Sequence, residues 1–128
     1  MDIIYEKSTS KDFTSAIEKL KSTLSDAGFG VLWELNFKET LQAKGQDFDK
    51  NFVVLEVCNA AKAKGVLDRK IEAGYMLPCK MAIYEKDGQV RMGMIKPETL
   101  IGLMGDDSLK DMAKEVGATL QGSIDQAV

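Results

Sequence analysis

The sequence predicts an α+β domain, a mainly antiparallel sheet with amphipathic helices packed on one face. Three observations lead there. Asp87-Gly88 separates two runs of alternating apolar residues, 79–86 and 89–96. A two-residue Asp-Gly loop accepts positive φ at both positions and so closes a tight hairpin. Phe13, Ala16, Ile17, Leu20, Leu24 and Ala27 recur at three- and four-residue intervals, which makes one apolar stripe along a helix. Leu109, Met112, Ala113, Val116, Leu120 and Ile124 repeat that stripe near the other end of the chain, across Gly117 and Gly122.

Taken in order, residues 2–7 read as a first strand. Thr9-Ser10-Lys11-Asp12 has the form of a capping box, a hydroxyl followed three positions later by an acid. Gly28 is placed to end the helix that follows. In 30–38, Val31, Trp33, Leu35 and Phe37 alternate with Leu32, Glu34, Asn36 and Lys38, the pattern of a half-buried strand. Residues 39–44 make one or two helical turns closed by Gly45. Residues 52–58 form a strand buried on both sides except at Glu56, which pairs with Lys80 or Arg91 or faces water at an edge. Asn59 is a suitable N-cap for a helix over 60–71 with apolar positions at Ala63, Val66, Leu67 and Ile71.

In the hairpin, Met81, Ile83, Val90, Met92 and Met94 share a core face, with Lys80, Tyr84, Lys86 and Arg91 on the other. Pro97 fits the first position of a short helix whose apolar side is Leu100, Leu103 and Met104. Ser108-Leu109-Lys110-Asp111 repeats the capping pattern before the last helix.

Length bounds the domain count: 128 residues are read as a single domain, 1–128, with no repeats and no linker. Seventeen basic against 20 acidic residues leave a net charge of −3, without the clustered positive charge that nucleic acid or an anionic membrane attracts. Lys62, Lys64, Arg69 and Lys70 form one basic cluster, read as a solvated helix face because no aromatic platform accompanies it. No apolar run reaches the roughly 20 residues of a membrane span. The N-terminus lacks the pattern of a secretory signal, so the expected location is cytoplasmic, with reduced thiols.

There is no histidine. Its absence removes the commonest general base and every nucleophile–histidine pair. Gly28-Phe29-Gly30 is a helix end entering a strand and not a phosphate loop. The two cysteines are the sharp candidates. Cys58 ends a strand just before a helix start, where backbone N–H groups and the helix dipole favour a thiolate. With Cys79 beside it, the pair could form a reversible disulfide or hold a soft ion such as Cu(I), with Met76 or Met81 assisting.

Against that stands plain burial, the heavier reading for the cysteines themselves. Free cysteine packs as a small hydrophobe, and the hairpin register puts Cys79 on the core face. Zinc would need two more ligands than two thiolates supply. Twenty residues separate the cysteines, too many for a thioredoxin-type loop. The methionines are read as fill for an irregular core, with a pliable pocket as the alternative.

Val57-Cys58-Asn59 and Leu77-Pro78-Cys79, followed by Ile83-Tyr84 and Lys96-Pro97, resemble a bacterial and archaeal family, the domain-of-unknown-function 302 family, over nearly the whole chain. One departure is Ala60, where that family usually has proline. The resemblance implies a small domain with a curved antiparallel sheet and helices on one side, akin to TATA-binding-protein-like folds, and a homodimer. It implies no reaction.

Three functional readings follow. The favoured one is a non-enzymatic module that binds a small ligand or soft metal ion near Cys58, Asn59 and Cys79. The others are a thiol redox enzyme or sensor built on the same cysteines, and a dimeric structural protein whose cysteines are inert.

Overall fold

Alternation along five strands decides which side of the sheet is dry. In the computed structural model, which describes residues 3–128, the strands are β1 (Ile4–Thr9), β2 (Gly30–Asn36), β3 (Phe52–Cys58), β4 (Cys79–Lys86) and β5 (Gln89–Ile95). They form one sheet in the order β1-β5-β4-β3-β2, antiparallel throughout. Val53, Leu55, Val57, Met81, Ile83, Met92 and Met94 point to one face and are buried there. Against them lie α1 (Phe13–Asp26) and α5 (Asp107–Ala127), contributing Ala16, Leu20, Leu24, Leu120 and Ile124. The α+β class predicted from the sequence is the class found.

The hairpin has the predicted register. Ile83 lies opposite Met92 and Met81 opposite Met94, and Asp87 and Gly88 both take positive φ, +55° and +75°. Met81 and Met92 are fully enclosed, while Met76, Met104 and Met112 are half-buried around a second apolar cluster. That cluster joins Val66, Ala73, Ile101, Leu109 and Ala113. Its residues come from α3 (Ala60–Arg69), a 3₁₀ segment (Ile71–Met76), α4 (Pro97–Gly102) and the first half of α5. The two helices that bound the main core are tied at a buried Thr23–Ser123 contact: Thr23 Oγ1 donates to the Ser123 carbonyl at 2.8 Å, and Ser123 Oγ shares its single proton between the Thr23 carbonyl at 3.4 Å and the Thr119 carbonyl of its own helix at 3.3 Å.

Several boundaries differ from expectation. The first strand runs to Thr9, and Asp2, where it was expected to begin, lies outside the described residues. Thr9 pairs with Val90 in the last rung of β1–β5, so it stays extended and the cap passes to Asp12, whose carboxylate accepts from Ser15 N–H at 2.8 Å. In the last helix the cap is likewise the acid Asp106, accepting from Ser108 N–H at 3.0 Å. A carboxylate at either position satisfies an unpaired amide and complements the helix dipole. Ile71 leaves α3 for the 3₁₀ segment and is 72% exposed, and Leu103 beyond α4 is also exposed.

β2 departs most. It ends at Asn36, whose side chain caps α2 (Phe37–Ala43) through Glu39 N–H at 3.1 Å. Val31 lies opposite Val57, but Trp33 lies opposite Glu56, so Leu32 is an inserted residue. One extra residue exchanges the faces of everything beyond it. Val31 points to the core, Trp33 is half exposed on the helix-free face, and Glu34 reaches the helix side, 2.6 Å from Lys21. Glu56 is on the helix-free face opposite Lys80 and makes no ion pair among the described residues. α2 is the exception to one-sided packing, since its Phe37 meets Phe52, which stacks on Tyr84 outside the core.

Candidate functional site

The site is assembled where β3 ends and β4 begins. Val57 and Cys79 are opposite each other, so Cys79 shares the helix-side face with fully buried Val57. Cys58, one residue on, lies opposite Gly30 in the neighbouring strand. The chain then turns into α3 through Asn59, whose Oδ1 accepts from Lys62 N–H at 3.1 Å. The predicted strand–cap–helix junction is therefore present. The predicted joining of the two sulfurs is not: both cysteines are free, half-buried thiols on different strand pairs, with no disulfide between them. The reason is register, which assigns them different partners across the sheet.

Burial pushes the Cys79 thiol up to about 11, with the Cys58 sulfur adding a smaller electrostatic push in the same direction. At neutral pH Cys79 is therefore an uncharged apolar wall, not a nucleophile or a ready thiolate ligand. Among the described residues no group of three or more Cys, Asp or Glu side chains is placed to hold a metal ion. Of the two methionines considered as helpers, Met81 is sealed in the main core and Met76 lies in the second cluster.

Cys58, Asn59 and Cys79 do line one small cavity, of about 40 Å³, with Val66, Leu77, Pro78 and Val116. Sequence reasoning missed its larger neighbour. An apolar cavity of about 130 Å³ lies between the sheet end and α4–α5, walled by Val66, Met76, Leu77, Cys79, Leu100, Ile101, Leu109, Ala113 and Val116. Pro78 and Pro97 stand at its edges, and Lys80 and Ile95 close the sheet side. The advance signal was the methionine set, for which a pliable pocket was the alternative reading, and of that set Met76 lines this cavity. Asn59 is held by its capping bond, and its amide nitrogen lies 3.3 Å from where a Cβ on Gly28 would sit. Lys62, at the other cavity, is paired with Glu115 of α5 at 2.5 Å.

A larger depression, about 800 Å³, lies at the opposite end of the sheet, between the α1 start and the hairpin turn. It is a shallow polar groove among Ser10, Asp12, Asn51 and Gln89, with no cysteine and no enclosed wall. No helix among the described residues is long and apolar enough to cross a membrane.

A five-stranded antiparallel sheet with one helical layer and an apolar cleft at its strand ends defines an α+β cleft protein. The chain belongs to the family described as domain of unknown function DUF302, which it matches over residues 5–127. A solved structure, described as an uncharacterized conserved protein DUF302 from Bacillus stearothermophilus, is 38% identical over 100% of both chains, with a TM-score of 0.96. A comparison with curated proteins finds no match.

Proposed function

We propose that this protein is a small-ligand-binding module whose site is the apolar cleft under the β3–β4 strand ends. The observation that carries the reading is that the two cavities adjoin, sharing Val66, Leu77, Pro78, Cys79 and Val116 as common wall. A dry apolar space of about 150 Å³ accepts a benzene-sized guest, and each buried methylene contributes about 0.8 kcal/mol. The uncharged Cys79 thiol supports an organic, apolar guest over a soft metal ion or a redox reaction at Cys79, both of which require its thiolate. Cys58 and Asn59 shape the smaller end of the cleft.

Titration of the ¹⁵N-labelled protein with 1-hexanol tests this. Saturable shifts are expected around Val66, Leu77, Ala113 and Val116, and they should disappear when Val116→Phe fills the common wall. Shifts confined to other surfaces, or unchanged in V116F, would overturn the reading.

A second reading concerns assembly. We propose that two copies meet through the part of the outer sheet face that α2 leaves open. Supporting it are Ile4, Trp33 and Ile95, all more than a third exposed there, and charges of both signs at Glu56 and Lys80 that make no ion pair among the described residues. A face carrying both signs is complementary to itself about a two-fold axis.

A further inference from the structure

Resting on the cleft reading above, we propose that the guest is a short amphiphile, an apolar tail of about six carbons or one ring ending in a carboxylate, with the tail in the larger cavity and the carboxylate at Lys80. Lys80 is the one charged residue among those lining that cavity. It stands beyond the Met81–Met94 rung, near Ile95, and these two residues also border a depression on the helix-free face. Lys80 is exposed and borders both spaces, which puts an ammonium at this edge of the cleft with its stem along apolar wall.

The two ends of the cleft differ in how their lysines are paired. Lys62, at the smaller cavity, is engaged by Glu115. Lys80 has Glu56 as its cross-strand neighbour and forms no ion pair with it or with any other described residue. An incoming anion thus meets an uncommitted cation at one end only. A single ammonium balances one charge. A phosphate monoester, carrying nearly two, would leave charge uncompensated beside hydrocarbon, so the monoanionic carboxylate fits better.

The experiment compares hexanoate with 1-hexanol by isothermal titration calorimetry at pH 7 and low salt, on the wild-type protein, Lys80→Gln and Lys80→Arg. Wild type and K80R should favour hexanoate two- to fivefold, the range an exposed ion pair supplies. K80Q should lose the preference while still binding 1-hexanol, and added salt should erase it in wild type. Hexanol binding without a hexanoate preference, or a preference that survives in K80Q, overturns the carboxylate inference and leaves the cleft reading standing. Failure of both ligands to bind overturns the cleft reading, and this inference falls with it.

Discussion

Val57 and Cys79 face each other across β3 and β4, and because Val57 is fully buried, Cys79 is on the helix side of the sheet at the wall of both cavities. That pairing gives the thiol its apolar surroundings and separates its role from that of Cys58, which lies opposite Gly30.

The first prediction concerns pH. The Cys79 thiol titrates at about 11 in the folded protein against an ordinary 9.0. Between those values the unfolded chain loses the proton and the folded chain keeps it, so stability falls as pH rises through this window. The full effect is about 2–3 kcal/mol. Urea unfolding at pH 8 and pH 10.5 should show a larger loss for wild type than for Cys79→Ala, whose remaining losses come from other groups. Equal losses would show that Cys79 is not desolvated.

Reactivity gives a second handle on the same burial. With Cys58→Ala leaving Cys79 as the only thiol, alkylation by iodoacetamide at pH 8 should be at least tenfold slower than for an unfolded control, since only the thiolate reacts. A rate equal to the control would remove the neutral-wall argument.

Gly93 tests the sheet edge. A Cβ there would lie 2.5 Å from the Tyr5 carbonyl oxygen and 3.0 Å from Glu6 Cα, both backbone atoms of β1 that cannot swing aside. Gly93→Ala should lower stability by about 1–3 kcal/mol by pushing β1 off β5. Thermal unfolding checks it, and an unchanged midpoint would mean that β1 is not pressed against β5 this closely.

The Thr23–Ser123 contact makes a fourth case. Thr23→Val keeps the shape and removes the donor to the buried Ser123 carbonyl, so a loss of about 1–3 kcal/mol is expected in denaturant unfolding. A neutral result would show that water reaches the carbonyl.

The outer sheet face beside α2 is tested by assembly rather than stability. Trp33→Glu, on a half-exposed residue, should leave the unfolding midpoint within about 0.5 kcal/mol of wild type. Sedimentation equilibrium should show it as a monomer at concentrations where wild type is dimeric. A wild-type monomer would refute the proposed assembly.

Much of the fold was legible because local chemistry dictated it. The Asp87-Gly88 turn fixed the hairpin register, the apolar stripes of α1 and α5 marked the covering layer, and Asn59 announced its helix start. What escaped was set by non-local geometry. The insertion at Leu32 leaves no mark in an otherwise regular alternation, yet it turns Trp33 outward and Glu34 toward Lys21. Thr9 and Ser108 carry capping-type residues, but strand pairing claims one and a neighbouring carboxylate takes the place of the other. At the site, the junction around Cys58 and Asn59 could be read directly. The larger cavity could not, because its walls come from six elements between Val66 and Val116 that meet only in the folded chain.

The most direct measurement is a crystal of the protein pressurised with xenon. Xenon occupies dry apolar cavities of about this size, so an anomalous peak is expected between Val66, Leu109 and Val116, within van der Waals reach of the Cys79 sulfur. Xenon sites elsewhere with none in that space would contradict the cleft, and with it the proposal that this fold encloses a small apolar guest.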